Sequence, residues 1–215
     1  ASGEYEVVVA PADGKGEPRV LTHGGSAFRR LMVWSPDSKQ LVFCDKTGTL
    51  YLLAAEGGEP VVIARDPWAG DLLGVNPSFS HDSRWLAYGV SDATSGVSRI
   101  ALYELTSGEN HVVTAGMFDD ANPTFDRKGD LLYFRRRGHF APLYGETDQS
   151  FLYAGTEQLV LVPLRADQPS PFAPKSDEEG VAKKDDAKKD AAKKDDGDED
   201  DAKEAEAKPV EIALE

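Results

Sequence analysis

Ser80, His81, Asp82 and Ser83 are the one place where the residue types of a hydrolytic triad crowd together. A triad needs a base oriented in space against a nucleophile, which four consecutive residues rarely provide. The same positions align with Ser35-Pro36-Asp37-Ser38, so they read as a strand-connecting turn. Cys44 lies inside an apolar run without a neighbouring base, and reads as a small buried hydrophobe rather than a nucleophile. His23, His81, His111 and His139 are scattered, and no pair has the spacing of ligands on one helix. There is no Gly-x-Ser-x-Gly elbow, no His-Glu-x-x-His and no phosphate-cradling glycine loop with lysine. No catalytic, metal-binding or cofactor-binding residue is therefore assigned.

The remaining chemistry is cationic. Arg135, Arg136 and Arg137, followed by Gly138 and His139, form the strong basic cluster of an otherwise acidic sequence. They follow an apolar strand and open a long connection, roughly residues 135 to 157. Long loops on a rigid scaffold are common places for binding groups. Arginine matches carboxylates well, so contact of Arg135, Arg136, Arg137 and His139 with a peptide carboxylate or an acidic partner surface is one expectation. The other is that the cluster is solvated or pairs with Asp119, Asp120, Glu146 and Asp148.

Whatever these residues do, a repeat must position them. Trp34-Ser35-Pro36-Asp37-Ser38-Lys39-Gln40-Leu41-Val42-Phe43 is echoed by Phe79-Ser80-His81-Asp82-Ser83-Arg84-Trp85-Leu86-Ala87-Tyr88, and again by Phe125-Asp126-Arg127-Lys128-Gly129-Asp130-Leu131-Leu132-Tyr133-Phe134. The anchors Ser35, Ser80 and Asp126 are 45 and 46 residues apart, the period of one four-stranded propeller blade. First strands are expected at 31–34, 75–79 and 122–125, and second strands at 41–44, 86–88 and 131–134. Third strands are expected at 49–53, 99–105 and 158–164, and fourth strands at 61–63 and 111–114. Short continuous apolar runs between turns suit strands buried on both faces, as between neighbouring blades. Before the first full copy, 5–9 and 19–22 match only the last two strands of a blade.

The fold class expected is therefore all-β, a partial β-propeller of four-stranded antiparallel blades with a disordered charged tail. Its parts are two strands of a preceding blade (1–22), blades at 23–64, 65–114 and 115–174, an insertion (175–208) and the start of a following strand (209–215). Half a blade plus three is too few to close a ring of about four to eight. The sequence, which also begins without Met, is thus expected to be a processed or excised piece of a longer polypeptide.

Composition separates the two regions. All 19 aromatic residues precede position 173, whereas residues 173 to 215 hold nine Lys and sixteen acids. The front can bury a core; the back has too little apolar surface to offset its ordering entropy. The net charge of −14 argues against nucleic acid or an anionic membrane as partner. A single cysteine excludes an intrachain disulfide, and no apolar run approaches the roughly 20 residues of a membrane span.

The Ser-Pro-Asp-Ser-Lys-x-Leu-x-Phe repeats resemble those of tricorn-type proteases and of TolB-type proteins. The loop from Phe140-Ala141-Pro142-Leu143-Tyr144 to Asp148-Gln149-Ser150-Phe151 is narrower in kinship. So is the run Leu164-Arg165-Ala166-Asp167-Gln168-Pro169-Ser170-Pro171-Phe172-Ala173-Pro174 before the charged insertion. Both are similar to the second propeller of a tricorn-like serine peptidase. That resemblance implies a large peptidase with two propellers, a PDZ-like domain and a catalytic core outside this chain, the second propeller guiding or filtering oligopeptides. It implies as partners the oligopeptide substrates and the other blades and catalytic domains of the same polypeptide, with homo-oligomers allowed; a cytoplasmic location is expected, with the periplasm or secretion as alternatives. The rival expectations are a TolB-like interaction module and the propeller of a prolyl-oligopeptidase relative.

Overall fold

Side chains leave a strand alternately on its two faces, so an apolar run without alternation needs a partner on each side. A computed structural model of the chain shows such partners. It describes residues 5–25, 27–68, 75–140, 142–145, 150–173 and 209–214. The segment 175–208, expected to be disordered, lies outside the described residues, as do Glu146 and Asp148.

Every strand pairing is antiparallel, and no helix occurs among the described residues. β1 (Val8–Val9) and β2 (Arg19–Val20) form a two-stranded ribbon. β3 (Arg29–Trp34), β4 (Gln40–Asp45), β5 (Thr49–Ala54) and β6 (Val61–Arg65) form the first four-stranded blade in chain order. β7 (Ser78–Phe79), β8 (Trp85–Ser91), β9 (Ser98–Glu104) and β10 (Asn110–Val112) form the second. In the third, β11 (Asp119–Phe125) pairs with β12 (Leu131–Arg137). A hairpin of β13 (Pro142–Tyr144) and β14 (Phe151–Tyr153) intervenes, and β15 (Glu157–Pro163) then lines the free side of β12.

Alternation sends each strand's side chains into two different cores. From β4, Leu41 and Phe43 join Val7, Leu21 and Leu53, while Val42 and Cys44 join Leu50, Leu52 and Ile63 against the second blade's Phe79, Leu86 and Tyr88. From β8, Leu86 and Tyr88 face the first blade, while Trp85 and Ala87 meet Phe125, Leu132 and Phe134 of the third. Fully burying one such leucine or phenylalanine contributes about 2 kcal/mol, so the blade junctions are the principal hydrophobic core.

The repeated turn has a side-chain mechanism. Ser35 Oγ donates to Asp37 Oδ1 at 2.6 Å and accepts from the Gln40 N–H at 3.0 Å, closing the loop between first and second strands. Ser80 makes the same pair of contacts with Asp82 and the Trp85 N–H. In the third copy Asp126 replaces the serine and accepts from the N–H groups of Asp130 and Leu131. The fourth turn position is left-handed each time, with φ of 59° at Ser38, 58° at Ser83 and 73° at Gly129.

Three features depart from the expected strand map. Of 75–79 only Ser78–Phe79 pairs. β12 continues through Arg137, so the arginines stand in a strand rather than a loop, and the connection after them carries a hairpin. At the far end, Val210 and Ile212 pack into the core between the second and third blades, and the Ala213 N–H donates to the Leu164 carbonyl at 2.9 Å. The Val210 N–H donates to Asp82 Oδ2 at 2.6 Å.

Candidate functional site

β12 brings its apolar and cationic halves together by simple alternation. Leu132, Phe134 and Arg136 share the face toward the second blade, while Tyr133, Arg135 and Arg137 share the other. Register then supplies the acids. Across β11, Asp119 stands opposite Arg137 and Asp120 opposite Arg136; across β15, Glu157 stands opposite Arg137.

Arg136 grips Asp120 with a two-bond fork, Nε to Oδ1 at 2.7 Å and Nη2 to Oδ2 at 2.9 Å. Its guanidinium carbon lies 5.0 Å from the Phe118 ring centre and 5.4 Å from that of Phe134. The hydrogen bonds to Asp120 raise its pKa above the usual arginine value, outweighing the opposing effect of burial. Arg136 is thus held as a permanent cation inside the blade. Arg137 meets Asp119 at 3.1 Å and Glu157 at 3.6 Å, and Arg135 meets Glu157 at 3.1 Å. The sequence cluster of three positive charges is matched by three carboxylates.

Arg137 and His139 line one open groove of about 650 Å³ with Phe118, Gly138, Phe140, Tyr153, Thr156 and Glu157. The His139 N–H donates to the Thr156 carbonyl at 3.3 Å, which fixes the strand-to-hairpin corner. Phe140 and Tyr153 form a ring pair with centres 5.6 Å apart, and Phe140 remains 75% exposed. Such a groove offers apolar walls and a charge-neutral, hydrogen-bonding rim. It can bind a chain with mixed side chains, but no nucleophile and base are aligned in it.

Of the four residues singled out by sequence, the fold brings Arg137 and His139 into the groove, sets Arg136 behind it and leaves Arg135 on the Arg137 face but outside the groove lining. Phe118, Phe140, Tyr153 and Glu157 are the additions. Only Glu157 had a readable signal, through the antiparallel register that follows once β12 is extended to residue 137. The turn residues Ser80 and Asp82 are engaged as described above, with Ser80 fully buried. Burial pushes the Cys44 thiol up to about 11. Among the described residues no group of three or more His, Cys, Asp or Glu side chains is placed to hold a metal.

Blade architecture, the long third connection and the groove now have a family context. Residues 1–213 match the family described as the tricorn protease second beta propeller domain. This chain belongs to that tricorn second-propeller family. Tricorn protease homolog 1 of Streptomyces coelicolor is 28% identical over 178 residues, an alignment covering 81% of this chain and 16% of that protein. The crystal structure of the tricorn protease superposes with a TM-score of 0.63 at 21% identity, covering 73% of this chain and 15% of that one. The chain thus spans about a sixth of the length of these relatives, and it is a β-propeller segment of the tricorn type.

Proposed function

We propose that this chain is the non-catalytic propeller of a tricorn-like serine endopeptidase, guiding or gating oligopeptides on their way to a catalytic core outside it. The observation that carries the reading is the groove of Phe118, Phe140 and Tyr153 beneath the Arg137 and His139 rim. Its volume lies within the range of about 300 to 1,000 Å³ typical of ligand sites. Exposed aromatic walls favour apolar side chains, and a rim of already paired charges orients a passing chain without trapping it. The substrates in this reading are oligopeptides, and the remaining partners are further blades and catalytic domains of the same polypeptide, with self-association allowed. The net charge of −14 disfavours nucleic acid and anionic membranes. A cytoplasmic location belongs to the same reading, on the strength of the family resemblance.

The test is peptide cleavage by the full-length protein with Arg137→Ala and Phe140→Ala, alone and combined. Long peptides should lose about tenfold in kcat/KM, the equivalent of about 1.4 kcal/mol, while short ones cleave at the parent rate. Equal rates for both lengths in every variant would overturn the guiding role.

A further inference from the structure

Each repeat places one residue three positions before the aromatic that ends its first strand: Leu31 before Trp34, Asn76 before Phe79 and Asn122 before Phe125. In the first and third blades this is where pairing with the second strand slips, between Arg30 and Val33 and between Ala121 and Thr124. Leu31 and Asn122 sit at the slip in the left-handed region, with φ of 58° and 57°. β3, β7 and β11 are all end strands of their sheets, and β7 lies against β11. Ser78 Oγ accepts from the Phe125 N–H, Leu31 packs against the cluster holding Val75 and Phe79, and the Asn76 amide donates to Asn122 Oδ1.

An end strand exposes a row of backbone donors and acceptors that invites another strand to pair. A bulge breaks that row, so an extended peptide passing along this edge cannot join the sheet over any length. The bulge offers side-chain amides instead, whose donors and acceptor reproduce those of a peptide group. Asn122 suits its left-handed backbone on conformational grounds alone. That explanation does not extend to Asn76, which has no positive φ yet carries the amide that meets it. Asn122 is exposed, and its Nδ2 donors have no partner among the described residues.

We infer that the Asn76 and Asn122 amides form a contact site for the main chain of an extended polypeptide, Asn122 Nδ2 donating to a peptide carbonyl. The inference rests on the guiding reading above and adds what is read: the backbone, and therefore extended shape rather than side-chain identity. Asn76 positions the Asn122 amide by fixing its oxygen.

The experiment is fluorescence anisotropy of a labelled extended peptide on the full-length protein, with Asn122→Gly, which keeps the left-handed conformation, and with Asn76→Ala. Each variant should weaken binding about three- to tenfold, and the double variant no further. A peptide with thioamides replacing its amides, whose sulfur is a poorer acceptor than oxygen, should lose a similar factor on the parent protein and little on Asn122→Gly. Scrambling the peptide's side-chain order should leave affinity unchanged. Parent-level binding by Asn122→Gly, or strong dependence on side-chain order, overturns the amide site and leaves the guiding role standing. Absence of peptide binding by the parent overturns both.

Discussion

Arg136 and Asp120 face each other across the first two strands of the third blade, and the carboxylate they share is 1% exposed. A buried pair of this kind contributes little over an apolar isostere, yet breaking it leaves an uncompensated charge. Arg136→Ala should destabilise the protein by about 3 kcal/mol, whereas Arg135→Ala, removing a half-exposed ion pair, should cost about 1 kcal/mol or less. Urea unfolding followed by tryptophan fluorescence distinguishes them. Similar midpoints for both variants would show that Asp120 finds another partner. The difference also excludes Arg136 as a clean probe of peptide contact.

The left-handed turn position supplies an internal control. Ser38 and Gly129 occupy the same place in their repeats, with φ of 59° and 73°. Ser38→Gly should stabilise by about 0.5 to 1 kcal/mol by removing a strained side chain. Gly129→Ala should do the reverse, by about 2 to 4 kcal/mol. Its added Cβ would stand 2.5 Å from Val210 Cγ2 and 2.6 Å from His81 Cε1, so packing strain adds to the backbone cost. Thermal unfolding of the two variants should bracket the parent.

Cys44 is fully buried, with its pKa pushed up to about 11 by burial first, partly countered by the nearby Arg30 charge. Native protein at pH 8 should resist a thiol reagent for as long as it stays folded, and react at once in denaturant. Rapid labelling of the native state would mean that the junction between the first and second blades opens locally.

Acid should loosen the turns before the cores. Burial works to raise the pKa of Asp82, but bonds from the Ser80 hydroxyl and the N–H groups of Val210 and Arg84 carry it below the usual aspartate value. Asp37 is lowered chiefly by the Ser35 hydroxyl, and Glu6 chiefly by the Thr22 hydroxyl. A carboxylate with a depressed folded pKa contributes stability above its unfolded pKa and loses it as the pH falls through the folded one. Stability should therefore be level above about pH 5 and decline below about pH 4. In Asp82→Asn the part of that decline due to Asp82 should vanish. An unchanged acid profile in that variant would remove Asp82 from the account.

Much of this architecture was legible because the repeat states it three times. Leu41 to Cys44 and Leu86 to Tyr88 read as strands covered on both sides, and they are. The extension of β12 through Arg137 was not legible. Three consecutive arginines look like solvated loop, and only Asp119, Asp120 and Glu157 placed opposite them make a strand of that composition tolerable. The groove was half visible. Arg137 and His139 stood out by charge, but Phe118 and Tyr153 lie 19 and 16 residues away from Arg137 and meet it only through sheet pairing. The bulges at Leu31 and Asn122 leave no composition signal at all, since one is apolar and the other polar.

The first two blades are each assembled from four strands taken in unbroken chain order. Their hydrogen-bond ladders therefore close between segments that leave the ribosome one after another, and each finished blade presents the template on which the next condenses. Synthesis can advance as a zipper, with loop-closure entropy kept small at every step. In the third blade the β13–β14 hairpin delays β15, and Val210 reaches Asp82 across 128 residues. Of the three blades described, the third is therefore the one whose junction requires the longest loop to close.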